Sequence, residues 1–157
     1  MSNTYSQILI HLVFAVKGRD SLIHSLWEVR LYKYITGIIQ KNEQKLLAIS
    51  GMPDHIHILI GMKPNCRISD LVREIKKSST EFIKENNLCR KDFKWQSGYG
   101  AFSCSQSSLG NVVKYILNQK EHHRRKSFKD EFMELLDKYE IEHQQRYLFD
   151  WIETCTI

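Results

Sequence analysis

The feature that most constrains this chain is a short run of alternating residues at positions 53–60, Pro-Asp-His-Ile-His-Ile-Leu-Ile. Its β-branched residues, and the Gly-Met-Pro turn in front of it, predict a β-strand. Because successive side chains on a strand point to opposite faces, the three isoleucines share one face, and His55 and His57 share the other. The two histidines then lie about 6.6–7 Å apart at Cα. At that spacing both imidazoles can bind one metal ion or one phosphate, or they can simply form the polar outer face of a sheet.

The composition indicates a soluble globular protein of one domain. The chain has 157 residues, 42% of them hydrophobic and 26% charged, and no apolar run approaches the roughly 20 residues of a membrane helix. The N-terminal residues do not resemble a signal peptide, so we expect a cytoplasmic protein without a membrane partner. The net charge of +5 suits a polyanionic partner such as nucleic acid. Four scattered cysteines without a Cys-x-x-Cys pair predict reduced thiols. They are Cys66, Cys89, Cys104 and Cys155.

Hydrophobic periodicity predicts the order of strands and helices. Alternation indicates a first strand over 6–16, and an apolar stripe at helical spacing indicates a first helix over 22–40, capped by Asp20 or Ser21. Strands over 45–50 and 53–60, a second helix from Ile68 to about Lys84, and a fourth strand ending near Cys104 follow. The order strand–helix–strand–strand–helix–strand is that of a split βαβ unit. We therefore predict an α+β fold, with a ferredoxin-like, RRM-like antiparallel sheet that has helices on one face and leaves the other open for function.

The C-terminal part adds two helices and a tail. A third helix is predicted over 107–120, and a polar stripe follows one of its flanks. The stripe consists of Asn111, Tyr115, Gln119 and His122. Ser127, three residues before Asp130, resembles a capping box and predicts the start of a fourth helix. Apolar residues in the tail, 141–157, predict that it docks onto the rest. We expect residues 1–157 to form a single domain, with the C-terminal helix and tail starting at about 127.

Tyr115 and Gln119 lie one helical turn apart and present a phenol and a carboxamide oxygen to the same point. A tyrosine, whose pKa is ordinarily about 10, is a poor nucleophile unless its electrophile is activated. A divalent metal ion on a phosphodiester provides that activation. Two imidazoles and one amide oxygen form an open site compatible with Mg²⁺ or Mn²⁺. These residues allow metal-assisted phosphoryl transfer without requiring it, because Tyr115 can equally be a half-buried helix residue and Gln119 a solvated one.

Several blocks of the sequence, in the same order and spacing, resemble the single-tyrosine HUH transposases of bacterial insertion sequences. That family includes relatives associated with short repeated palindromic elements. The blocks are His-Leu-Val-Phe within the first strand, Pro-Asp-His-Ile-His at 53–57, Trp-Gln-x-Gly-Tyr-x-Ala-Phe-Ser at 95–103, Tyr-Ile-x-Asn-Gln-x-x-His-His at 115–123, and Ser-Phe-x-x-Glu-Phe at 127–132. They extend from about residue 5 to residue 148, so the resemblance covers nearly the whole chain.

The resemblance implies a role for four residues. His55 and His57 match the metal-binding histidine pair, and Gln119 matches the third metal ligand. Tyr115 matches the nucleophile that attacks a phosphodiester of single-stranded DNA, leaving a 5′-phosphotyrosine link and a free 3′-hydroxyl. The resemblance also implies Mg²⁺ or Mn²⁺ as cofactor, no nucleotide cofactor, and a DNA hairpin at the element ends as the recognised partner. It further implies a homodimer in which the tyrosine helix can complete the partner's active site.

Further polar residues are candidates for DNA contacts, and the alternative for each is an ordinary surface residue that contacts only solvent. They are His11, Arg73, Lys76, Lys77, His122, Arg124 and Arg125. His123 and Lys126 belong to the same basic run as the last three. Asp54 is expected on the sheet face opposite the histidines, which favours a turn or structural role. Two other functions remain open from the residues alone: another HUH endonuclease, such as a replication initiator or relaxase, and a non-catalytic single-stranded nucleic-acid-binding protein on an RRM-like sheet.

Overall fold

The computed structural model describes residues 3–152 and has a four-stranded antiparallel sheet at its centre. The strands are β1 (Ile8–Ala15), β2 (Lys45–Met52), β3 (His55–Met62) and β4 (Gly100–Cys104), in the spatial order β2-β3-β1-β4. The helices are α1 (Glu28–Lys41), α2 (Ile68–Glu85), α3 (Leu109–Leu117), α4 (Gln119–His122) and α5 (Phe128–Lys138). The chain therefore folds as strand–helix–strand–strand–helix–strand with C-terminal helices added. The predicted α+β, ferredoxin-like fold is confirmed.

The main hydrophobic core lies between one face of the sheet and helices α1 and α2. Alternation in β1 and β3 sends every second side chain into this layer, and cross-strand partners meet there. Leu12 pairs with Ile58, and Phe14 pairs with Ile56. All four are fully buried and belong to one cluster with the apolar sides of the two helices. Burial of these side chains fixes the register of β3, and the register in turn fixes which face carries His55 and His57.

The second face of the sheet is covered, so the prediction of an open face is wrong. Val13, Ala15 and Phe102 on this face are apolar and pack against α5 and the tail. On the neighbouring strands, Ala48 and Leu59 pack against Ile116 of α3. Exposure of so much apolar surface would be unfavourable, and the C-terminal helices remove it from water. The histidines of β3 are consequently buried beneath helices instead of lying on a free surface.

Two predicted helix boundaries differ from the structure. The first helix begins at Glu28 and not at Leu22, because Ile23 turns into the core and its N–H donates to the Pro53 carbonyl at 2.8 Å. The third predicted helix is interrupted at Asn118, whose backbone leaves the helical region with φ −100° and ψ 24°. The fourth predicted helix is confirmed, with Ser127 Oγ accepting a hydrogen bond from the Asp130 N–H at 3.2 Å.

The tail docks onto the domain as predicted, as far as residue 152. Phe149 is buried against Phe128 and Phe132, and the Asp150 N–H donates to Gln96 Oε1 at 2.7 Å.

Cys66, Cys89 and Cys104 are free thiols, while Cys155 lies outside the described residues. Among residues 3–152, no helix is both long enough and apolar enough to cross a membrane.

Candidate active site

Three imidazole rings converge on one carboxylate beneath the C-terminal helices. Glu131, on α5, places its Oε1 2.8 Å from the Nε2 of His57, 3.1 Å from that of His123 and 3.2 Å from that of His55. His55 and His57 come from β3, as the alternation pattern predicted, and both are completely buried. His123 follows α4, and its side chain is only 5% exposed. One ligand atom from each of these four residues lies within 4.8 Å of the other three.

Each of the three rings is held in place through its other nitrogen, Nδ1. His55 Nδ1 donates to Asp54 Oδ1 at 2.6 Å, and His123 Nδ1 donates to the Lys126 carbonyl at 2.6 Å. His57 Nδ1 shares a hydrogen bond of 2.8 Å with Nε2 of His11. These bonds, assigned from the donor and acceptor geometry, direct every Nε2 toward the same point.

Tyr115 reaches this cluster from α3 of the same chain. Its hydroxyl donates to Glu131 Oε2, and its ring lies edge-on to His57 at 5.8 Å and to His122 at 5.0 Å. The side chain is half-buried at the wall of a cleft of about 380 Å³ between α3 and α5. The tyrosine helix thus lies across the sheet face that carries the histidine pair, and both Tyr115 and Glu131 line the cleft.

Gln119 is buried next to the cluster without lying at its centre. Its Oε1 is 3.4 Å from His55 Nε2, and its side-chain amide donates to the Tyr115 carbonyl at 3.3 Å. The interruption of the helix at Asn118 turns Gln119 inward, so the structure brings Gln119 close to both predicted partners, the tyrosine and the first histidine.

The electrostatics of the cluster follow from burial and from the two carboxylates. Burial lowers the pKa of His55, but hydrogen bonds to Asp54 and Glu131 outweigh it and raise that pKa to about 9. Burial lowers the pKa of His57 to about 4, against the attraction of Glu131. Burial opposes ionisation of Glu131, yet the imidazoles of His123, His55 and His57 around it hold its pKa far below the usual range. The cluster therefore contains a carboxylate anion, with its balancing proton on His55.

The nucleophile candidate is held as a neutral phenol. Burial and the charge of Glu131 raise the pKa of Tyr115 well above its usual range. His11, which touches His57, has its pKa lowered to about 3 by burial and by the neighbouring ring. A phenol that must act as a nucleophile needs a proton acceptor and an activated electrophile, and Glu131 is the acceptor already in contact with it.

The donor set fits a divalent metal ion. Once His55 releases its proton, the cluster offers three imidazole nitrogens and one carboxylate oxygen, which are ligands that divalent first-row metals bind. His123 Nε2 is buried and forms no hydrogen bond, although it lies 3.1 Å from Glu131 Oε1, because the two atoms are not aligned for one. An unpartnered buried nitrogen that faces a carboxylate oxygen is the arrangement a bound cation would satisfy.

The other predicted DNA contacts fall into three places. His11 is buried within the cluster, and His122 lies at its edge, 3.4 Å from Glu131 Oε2. Arg124 and Arg125 are exposed on the segment between α4 and α5. Arg73, Lys76 and Lys77 lie on α2, across the sheet from the cluster, beside a cleft of about 920 Å³ that Lys17, Lys94 and Arg146 also line. The structure therefore separates the α2 residues from Tyr115.

Sequence reasoning missed three members of the cluster. Asp54, expected on the opposite face, lies in the turn before β3, where strand alternation does not apply, and contacts His55. The sequence places His123 in a basic run and at the end of the block at 115–123, but predicts no metal-binding role for it. Glu131 had no predicted role, although its place after the Ser127 cap predicted that it lies in the first turn of a helix.

The fold, the His-x-His strand and the tyrosine helix together define the class of single-tyrosine transposases. Comparison with known families agrees: the family described as "Transposase IS200 like" matches residues 4–119. The match covers more than half of the chain, so the chain belongs to this family and is a DNA transposase, an enzyme. The two other functions considered from the sequence are not supported by this match.

Individual relatives are consistent with the family. The ISDra2 transposase TnpA of Deinococcus radiodurans is 26% identical over 118 residues, which cover 72% of this chain and 84% of that protein. A crystal structure of a transposase from Deinococcus radiodurans R1 has a TM-score of 0.61 at 23% identity, covering 76% of this chain and 95% of that one. The structure of a REP-associated tyrosine transposase bound to a REP hairpin has a TM-score of 0.56 at 19% identity, covering 78% of this chain and 73% of that one. At these identities, the two structures show a shared fold.

Proposed function

We propose that the chain cleaves and rejoins single-stranded DNA through a covalent link to Tyr115. The observation that carries this proposal is the position of the Tyr115 hydroxyl beside the histidine cluster, in hydrogen-bond contact with Glu131 and at the wall of an open cleft. His55 and His57 hold a divalent metal ion, Mg²⁺ or Mn²⁺, with the amide oxygen of Gln119 beside them. When bound, the ion withdraws charge from the scissile phosphate and stabilises the leaving oxygen.

The residues of the chain account for the remaining steps of cleavage. The Tyr115 oxygen attacks phosphorus and loses its proton to Glu131, which already accepts a hydrogen bond from it. The bond from phosphorus to the 3′-oxygen breaks, and the proton passes from Glu131 through water to that oxygen, which leaves a free 3′-hydroxyl and restores the Glu131 carboxylate. The 5′-phosphate stays on the tyrosine as a phosphodiester. Because one phosphodiester replaces another, a second 3′-hydroxyl can reverse the step and join new DNA without a nucleotide cofactor.

The DNA partner proposed is single-stranded DNA that carries a hairpin near the element end. A transposase with the same fold is described as bound to a REP hairpin, which supports this choice. His122, Arg124 and Arg125 are proposed to contact phosphates near the tyrosine, and Arg73, Lys76 and Lys77 to contact DNA at the separate α2 cleft. The exposed guanidinium groups suit phosphate oxygens. We further propose a homodimer acting in the cytoplasm, with residues 1–157 as one catalytic domain.

A cleavage assay tests the proposal directly. Incubating the protein with hairpin-bearing single-stranded DNA and Mg²⁺ or Mn²⁺ is expected to give a protein–DNA adduct that survives denaturing electrophoresis. Tyr115→Phe should abolish the adduct, while Tyr139→Phe, at the wall of the same cleft, should retain it. His57→Ala should abolish cleavage and leave hairpin binding largely intact. An adduct that persists in Tyr115→Phe would show that another group is the nucleophile.

A further inference from the structure

Two buried groups at the histidine pair, His123 and Glu131, lie outside residues 4–119, to which the family match is confined. Glu131 is 1% exposed and contacts the Nε2 of all three imidazoles through a single oxygen. Charged side chains are rarely buried this completely unless their surroundings bind them. The roles that the family resemblance gives to His55, His57, Tyr115 and Gln119 do not explain why His123 and Glu131 are buried at the same place.

The geometry of His123 indicates what that explanation is. Its Nδ1 donates to the Lys126 carbonyl at 2.6 Å, which leaves Nε2 as the ring nitrogen that can bind a ligand. That nitrogen forms no hydrogen bond and faces Glu131 Oε1 at 3.1 Å. A cation bound by this nitrogen and by the carboxylate oxygen would give the buried nitrogen the partner that it lacks.

We propose that His123 and Glu131 are metal ligands and complete the site of His55 and His57 as a set of three imidazole nitrogens and one carboxylate oxygen. The proposal rests on the function proposed above, since it concerns the same ion. Four ligands at about 2.1 Å from one ion lie about 3.4 Å apart in a tetrahedron. To reach that spacing, the contacts of 2.8–3.2 Å around Glu131 Oε1 lengthen slightly, and separations among the four ligand atoms, which extend up to 4.8 Å, shorten.

The surrounding hydrogen bonds distinguish these four residues from Gln119. Asp54, His11 and the Lys126 carbonyl each hold one ring through Nδ1, as the outer partners of metal-bound histidines do. Of the three imidazoles, Gln119 instead contacts only that of His55, at 3.4 Å, and it donates its amide to the Tyr115 carbonyl. Its main contribution is therefore to hold the end of the tyrosine helix, with a smaller share in metal affinity.

The ligand set also determines which ion is bound most tightly. Imidazole-rich sites favour Mn²⁺, Co²⁺ and Zn²⁺, whereas Mg²⁺ prefers oxygen ligands and retains its water. We expect one Co²⁺ or Zn²⁺ per chain to bind at least tenfold more tightly than Mg²⁺. Because Glu131 Oε2 accepts the tyrosine hydrogen bond, the same carboxylate would connect the ion to the nucleophile.

Calorimetric titration of the metal-free full-length protein with Co²⁺ tests the ligand set. His123→Ala and Glu131→Gln are each expected to weaken binding by at least tenfold, and Gln119→Ala by about threefold or less. The matched controls are His143→Ala, an exposed histidine beyond α5, and Glu134→Gln, which is exposed on the same helix as Glu131. The controls should bind Co²⁺ like the unsubstituted protein. Equal affinity of all the variants would overturn the proposal.

A second measurement needs no variant, so it stands even if Glu131→Gln fails to fold. Long-range ¹H–¹⁵N spectra of the native protein should show three imidazole Nε2 resonances shifting when Zn²⁺ is added. Two shifting resonances, those of His55 and His57, would overturn the proposal while leaving the strand-transfer function intact. If the strand-transfer function itself is wrong, the cleavage assay shows this instead, because the adduct still forms with Tyr115→Phe.

Discussion

Gly51→Ala should dislocate the histidine strand, because Gly51 lies opposite Ile56 where β2 and β3 meet most closely. A Cβ at Gly51 would lie 2.3 Å from the His55 carbonyl oxygen and 2.9 Å from the Ile56 Cα. Ordinary contact begins at 3.4 Å, so the strands must separate by about 1.1 Å. Both neighbours are backbone atoms and cannot rotate away. We expect the free energy of unfolding to fall by about 3 kcal/mol, the upper end of typical overpacking.

The matched control is Gly61→Ala on the same pair of strands, where the nearest atom, Lys45 Cβ, is 3.7 Å away. That variant should be as stable as the unsubstituted protein or up to about 1 kcal/mol more stable, since alanine costs less conformational entropy. Urea unfolding measures both changes. A displacement of about 1 Å at a reacting group can cost about 10²-fold in rate, so Gly51→Ala should also slow DNA cleavage by that factor. Full stability with full activity in Gly51→Ala would refute this reasoning.

Three further outcomes follow from the contacts around the cluster and the α2 cleft. Phe128→Ala removes a buried ring that stacks on His55 at 4.0 Å. The free energy of unfolding, measured with urea, should fall by about 3–5 kcal/mol, and an unchanged urea midpoint would contradict the packing. Asp54→Asn removes the carboxylate that orients His55, and Co²⁺ titration should show affinity lowered by about 10–100-fold. Burial lowers the pKa of Lys76 to about 8, so this amine is charged below pH 8 and neutral above it. Anisotropy should show oligonucleotide binding weakening from pH 7 to 9, but not in Lys76→Arg; a flat profile for the unsubstituted protein would contradict this.

Much of the fold followed from periodicity. Alternation predicted the first strand, and the isoleucines of β3 fixed the face of His55 and His57. These patterns are local, because a strand of period two defines its own faces. Val13 and Ala15 are apolar and lie on the sheet face that was expected to be open, where α5 and the tail cover them. Periodicity identifies an apolar face but does not identify the helix that covers it.

The remaining members of the cluster depend on contacts between distant parts of the chain. Glu131 is 74 residues from His57, and only the docking of α5 brings them together. The capping signal at Ser127 predicted the helix but not which side of it faces the sheet. The break at Asn118, which separates Gln119 from the tyrosine helix, likewise has no counterpart in the apolar pattern. Tertiary packing decides these positions, and single-sequence patterns carry little information about it.

The central claim, that Tyr115 becomes joined to DNA, is tested most directly by locating the covalent link. The adduct formed with hairpin-bearing single-stranded DNA can be digested with nuclease and protease, and its peptides measured by mass spectrometry. A nucleotide joined through its 5′-phosphate to the peptide that contains Tyr115 is the expected result. A nucleotide on any other residue, or efficient cleavage with unmodified protein throughout, would contradict the claim.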